Sequence, residues 1–87
     1  MTSKNDVRIL DQIMRGSKGN KLFALSIKGI ADRTELSVPK VRVTVKMLLE
    51  YGYIKEGFMQ KSAKTYYITE EGKEILSNIM NGGIRNE

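Results

Sequence analysis

The sequence predicts a small α+β domain in which three helices build the core and a β-hairpin of two or three strands stands between the third helix and a fourth. Three observations predict it. Apolar residues recur at helical spacing in four segments, each bounded by a capping residue or a glycine. One pair of short runs rich in tyrosine and isoleucine lies between the third and fourth of these segments. The 87 residues, 40% hydrophobic and 29% charged, suffice for one core and not for two. One domain is therefore expected over 1–87, ordered from about 4 to 81 with a C-terminal tail over 82–87.

Val7, Leu10, Ile13 and Met14 share one face of a first helix, Lys4 to Arg15, entered from Ser3 as N-cap and closed by Gly16. Ile9 lies off that face. A polar loop with Lys18 and Lys21 follows, and Leu22 to Leu25 reads as a short extended piece, too short for a central strand. Ser26 caps a second helix that turns Ile27, Ile30 and Ala31 inward and ends near Thr34. Leu36 plugs the turn, and Ser37 caps a third helix, 38–51. Its Pro39 costs little because first-turn amides have no intrahelical partner. Val38, Val41, Val45, Leu48 and Leu49 form its buried face, and Gly52 stops it. Tyr53 to Phe58 and Thr65 to Ile68 are the hairpin strands, joined by a flexible polar stretch, Met59 to Lys64. Thr69 caps the fourth helix, which carries glutamates in its first turn and closes at Gly82-Gly83.

The sequence holds neither cysteine nor histidine, so thiolate or imidazole metal sites and the usual neutral-pH general base are not available. No cofactor, metal or small-molecule ligand is expected, nor is a separate effector domain. Tyr51, Tyr53, Tyr66 and Tyr67 lack the arginine and histidine cluster that a tyrosine nucleophile needs. One of Tyr66 and Tyr67 is expected to pack inward and the other to face out. An enzyme is not expected. No apolar run approaches the ~20 residues of a membrane span, and the first residues do not open a signal peptide, so a cytoplasmic location is expected.

The net charge is +5. It is unevenly placed: Ser37 to Ile68 holds six bases against two acids, a balance of +4, whereas Thr69 onward holds two bases against four acids, a balance of −2. A concentrated positive segment suits a polyanionic partner.

The run Ser26-Ile27-Lys28-Gly29-Ile30-Ala31-Asp32-Arg33-Thr34-Glu35-Leu36-Ser37-Val38-Pro39-Lys40-Val41-Arg42 resembles the helix-turn-helix of prokaryotic winged-helix transcriptional regulators of the MarR-like and PadR-like kind. Ile30-Ala31, Leu36-Ser37 and Val41 match its core, turn and cap positions. The likeness continues through Leu48, Gly52-Tyr53-Ile54 and Tyr67-Ile68-Thr69-Glu70-Glu71-Gly72, and covers about Leu22 to Leu76. It implies a winged helix-turn-helix in which the third helix reads DNA and the hairpin is the wing. One departure is Glu35, where such families place glycine; a left-handed backbone there costs a non-glycine residue about 1–2 kcal/mol.

The third helix agrees with that role. Pro39, Lys40, Val43, Lys46 and Met47 lie across from or beside its apolar face, with Arg42 on the flank. Helices in the major groove contact bases mainly with their N-terminal half, so Lys40, Arg42 and Val43 are the candidates for base readout. Arg42 has the geometry for guanine, and Val43 and Met47 suit a thymine methyl. Ser37 and Lys46 are candidates for phosphate. In the wing, Gln60, Lys61, Ser62 and Lys64 are candidates for the DNA backbone or minor groove. The competing reading of both sets is an ordinary solvated surface, and it stays open for Lys18 and Lys21.

The function expected is a sequence-specific, double-stranded DNA-binding transcriptional regulator, with "repressor" resting on the resemblance alone. The alternatives are a winged-helix protein-interaction module and a plasmid or phage replication or partition protein. Because one reading head covers few base pairs, a homodimer is expected, built from the first and fourth helices through Ile9, Ile75, Leu76, Ile79 and Met80. The alternative is that these five residues complete the monomer core.

Overall fold

The computed structural model describes residues 4–17 and 20–85. Four helices surround a small antiparallel sheet: α1 (Lys4–Ser17), a short 3-10 turn (Lys21–Phe23), β1 (Leu25–Ser26), α2 (Ile27–Thr34), α3 (Val38–Tyr51), β2 (Ile54–Glu56), β3 (Thr65–Ile68) and α4 (Glu70–Arg85). This is the winged-helix order expected from the sequence. The capping role of Ser3, the contact considered for Lys18 and the side chain of Lys21 lie outside the described residues.

The sheet order is β1-β3-β2. Leu25 stands opposite Tyr66, and Ile54 opposite Ile68. The piece expected to be extended over Leu22 to Leu25 divides instead into the 3-10 turn and a two-residue edge strand. Asn20 causes the division, because its side chain accepts from the Leu22 amide at 2.9 Å and winds the chain locally. Leu22 and Phe23 are left exposed.

The core joins α1 to the helix-turn-helix and the sheet through Ile9, Leu10, Ile13, Ile30, Val41, Val45, Leu48, Ile54, Tyr66, Ile68 and Leu76. Ile9 and Leu76, expected at a dimer contact, are buried here. The sheet and α4 both pack against α1, so Ile9 is buried on an arc wider than one helical stripe and Leu76 is buried where α4 meets the core. Val38, expected in the core, is exposed, and Leu49 is half-buried against the core edge.

Two helix ends also differ from expectation. Gly16 does not stop α1, which runs on to Ser17; the buried Ser17 hydroxyl donates to the Ile13 carbonyl at 2.6 Å and accepts from the Ile68 amide at 3.3 Å. Gly16 serves instead as a clearance point, since a Cβ there would stand 2.6 Å from Leu25 Cδ1. Nor does α4 close at Gly82-Gly83, for it continues through them to Arg85. Glycine permits a helix stop without compelling one.

Candidate nucleic-acid interface

The candidate interface centres on α3, and the turn before it sets where α3 points. Thr34, at the end of α2, is buried; its hydroxyl donates to the Ile30 carbonyl at 2.8 Å. Glu35 then adopts a left-handed backbone, φ 60 and ψ 26, while its amide closes on the Ala31 carbonyl. The turn thus keeps the geometry that the glycine of related sequences would serve, and it carries the associated strain of about 1–2 kcal/mol. Ser37 accepts from the Lys40 amide and starts α3 as its N-cap.

At about 100° per residue, α3 presents three faces besides its buried one. Lys40 and Thr44 point toward α1, where Asp6 Oδ1 accepts from Thr44 Oγ1 at 2.8 Å and Lys40 Nζ at 3.1 Å. Val38 and Arg42 point toward the wing. Pro39, Val43 and Lys46 point outward, all exposed, with Val43 at 68%. Met47, expected beside Val43, is half-buried against the core. Lys40, expected to be free for readout, is held by Asp6. Nothing in the local sequence marks that pairing, because the partners are 34 residues apart.

A second clamp comes from the same stretch of α1. Arg8 Nη2 donates to the Thr34 carbonyl at 2.6 Å, satisfying an end carbonyl of α2 where a cation is also favoured by the helix dipole. Asp6 and Arg8 therefore tie α1 to both helices of the motif.

The wing tip is tighter than the flexible stretch expected. Gln60 and Ala63 exchange both backbone hydrogen bonds, at 2.9 and 2.8 Å. Lys61 and Ser62 between them both have positive φ, 49 and 73. This is the pattern of a type I′ turn, which normally takes asparagine and glycine. The two strained residues point Lys61 and Ser62 away from the body of the protein, with Gln60 and Lys64 also exposed beside them.

Between wing, α3 and the start of α2 lies an open cleft of about 720 Å³, lined among others by Ser26, Lys28, Arg42, Lys61, Lys64 and Tyr66. Asp32 is the acid on its lining. Lys64 lies 3.9 Å from Glu56 with both side chains largely exposed, a pair of little strength in water. Among the described residues no carboxylate pairs with Lys28, Arg42, Lys46 or Lys61. Tyr66, the inward member of the tyrosine pair, is only 6% exposed. Burial raises its pKa above the usual 10, helped by Glu56 and opposed by Arg42.

Strand alternation anticipated one buried tyrosine here but not which one, and it gave no hint that the residue floors a cationic cleft. Lys28 was likewise not expected on the cleft that the structure forms. Its place in the first turn after the Ser26 cap is the sequence signal that points to it. Among the described residues, no group of acids offers a metal site and no helix is long and apolar enough to cross a membrane.

No protein-family model matches the chain. It is 35% identical over 78 residues to the DNA-binding protein TubR of Clostridium botulinum C phage, a match spanning 90% of this chain and 96% of that protein. The solution structure of the DNA-binding TubR fragment from Clostridium botulinum superposes with a TM-score of 0.72 at 33% identity, covering 91% of this chain and 98% of the fragment. A MarR family transcription regulator superposes with a TM-score of 0.81 at 10% identity, covering 97% of this chain and 53% of the regulator. That last likeness is one of fold.

Proposed function

From a chain that belongs to the TubR family of DNA-binding proteins, we propose a sequence-specific regulator that binds double-stranded DNA in the cytoplasm and acts by occupancy rather than catalysis. The observation that carries the reading is the outward face of α3. Val43 is 68% exposed there, between Pro39 and Lys46 and beside a cleft rich in unpaired cations. An apolar side chain held out of the core at the N-terminal half of such a helix suits a thymine methyl in the major groove. Lys46 serves phosphate, and Lys61, Ser62 and Gln60 follow the adjacent backbone or minor groove. Lys40, occupied by Asp6, orients the helix and does not read bases. Repression by covering a promoter is the regulatory consequence of such occupancy.

A second reading is favoured by the phage source of the 35% identical relative: binding to repeated sites of a phage or plasmid for replication or partition. The same surface would serve both. Footprinting across the genome and any resident element distinguishes them, single promoter sites supporting the regulator and clustered repeats the other.

The DNA reading itself is tested by fluorescence anisotropy over a salt series. Neutralising Z phosphates makes log K fall with log salt at a slope of about −0.9Z, so a steep fall is expected. A salt-independent association would reject DNA in favour of a protein partner on α3.

Two reading heads are proposed to pair through α4. Ile75 and Ile79 are half-buried and Met80 is 41% exposed, so the contact rests on these three, Ile9 and Leu76 being spent in the core. Sedimentation equilibrium reads this directly, and a mass of 9.9 kDa at micromolar protein would remove the dimer.

A further inference from the structure

We propose that the cleft between the start of α2, the wing-side flank of α3 and the wing seats one phosphate group of the DNA backbone, with the Tyr66 hydroxyl as its hydrogen-bond donor and Arg42 and Lys28 as its cations. The proposal deepens the DNA reading and rests on it. Its central observation is Tyr66. The residue is 94% buried by the complement of its 6% exposure, it lines the cleft, and its hydroxyl has no hydrogen-bond partner among the described residues. The hydroxyl is not one of the buried unpaired polar atoms, so it opens on the cleft and is free to donate to a group seated there.

The surroundings decide which acceptor. Lys28, Arg42, Lys61 and Lys64 line the same cleft against Asp32 alone, so an anionic oxygen is favoured there over a neutral one. The start of α2 adds to this. Ser26 takes the Gly29 amide at 3.1 Å, while the earlier amides of the first turn have no intrahelical partner and point out of the helix end. Arg42 and Tyr66 line the same cleft, so guanidinium and hydroxyl both face the space that an anionic oxygen would fill. The cleft is open rather than enclosed and runs between recognition helix and wing, so a continuous phosphodiester strand can enter and leave it.

Arg42 is thereby moved from base readout to backbone positioning. Its wing-side direction on α3 agrees, because Pro39, Val43 and Lys46 occupy the outward face that a groove would meet.

The test is anisotropy with a mixed-sequence duplex over a salt series, since a phosphate seat acts on every sequence. Tyr66→Phe removes only the hydroxyl. It is expected to weaken binding about tenfold at every salt concentration, the effect of one hydrogen bond to a charged group, with the salt slope unchanged because a neutral donor displaces no counterion. Arg42→Gln and Lys28→Gln are each expected to flatten the slope by about 0.9. A folded Tyr66→Phe protein with wild-type affinity overturns the seat while leaving DNA binding by α3 standing. Should Tyr66→Phe fail to fold, Lys28→Gln decides, and an unchanged slope overturns the proposal. A wild-type protein that binds no duplex removes the DNA reading first and the seat with it.

Discussion

On the side of α3 that faces α1, the polar groups are paired across the helices: Asp6 Oδ1 accepts from both Thr44 and Lys40, and Arg8 closes the end of α2. On the side that faces the wing, Arg42 has no carboxylate partner, Tyr66 has no acceptor, and the tip beyond them holds Lys61 and Ser62 in left-handed backbone. The two sides of one helix are thus organised in opposite ways. The α1 side spends its polar groups on holding the helix still. The wing side leaves its polar groups unspent and tolerates strain, as surfaces that meet a ligand do. A rigid mount and an unsatisfied contact surface are complementary requirements for a reading head.

The sharpest way to break this contrast is to crowd the interior. Gly72, at the start of α4, lies where a Cβ would stand 2.1 Å from the Tyr53 carbonyl oxygen, and that oxygen already accepts from the Thr69 amide at 3.0 Å. Gly72→Ala is expected to cost about 3 kcal/mol, near the upper end for overpacking. For a domain of this size that lowers Tm by roughly 12–24 °C. A melting curve within a few degrees of wild type would show that the mount yields more easily than the contacts imply.

Asp6→Ala probes the mount at α3 itself. The exposed part of the Lys40 pair is screened and worth little, so the stability loss of about 1–2 kcal/mol comes mainly from the buried Thr44 hydroxyl. Freed Lys40 is expected to steepen the salt slope of DNA binding by about 0.9. A loss of affinity without any steepening would mean that Asp6 restrains the helix but not the lysine.

On the wing side the expected effects run the other way. Replacing Lys61 with Asn and Ser62 with Gly supplies the residues that a type I′ turn favours, and stability is expected to rise by about 1 kcal/mol. DNA affinity should fall all the same, since a cation and a hydroxyl leave the tip. Affinity equal to wild type in chemical denaturation-matched samples would reject the wing contact.

The smallest change expected is at Glu35→Gly. It relieves a left-handed non-glycine residue at some cost in backbone entropy, for a net gain of about 0.5–1 kcal/mol. Its DNA affinity should be unchanged, because Glu35 belongs to neither side of the comparison. A weakened affinity would place the turn, rather than α1, in control of how α3 is aimed.

Much of this protein is legible in its sequence because the deciding physics is local. Ser26, Ser37 and Thr69 cap helices within three residues of themselves, Gly52 ends α3 in a left-handed backbone, and apolar spacing marks most of the core. From these follow the element order, the helix-turn-helix, the position of the hairpin and the outward placement of Val43. What required the tertiary structure are the relations between residues distant along the chain. The pairing of Lys40 with Asp6 spans 34 residues, and the cleft gathers side chains from α2, α3 and the wing. The burial of Ile9 and Leu76 depends on a sheet and helix packing around α1 that no helical stripe describes. Even the glycines divide this way. Gly52 acts through its own φ, which the sequence can suggest, whereas Gly72 is required by a carbonyl 19 residues earlier. Caps and periodicity are set by hydrogen bonds within one turn, whereas the partner of an isolated charge or hydroxyl is set by where whole elements come to rest.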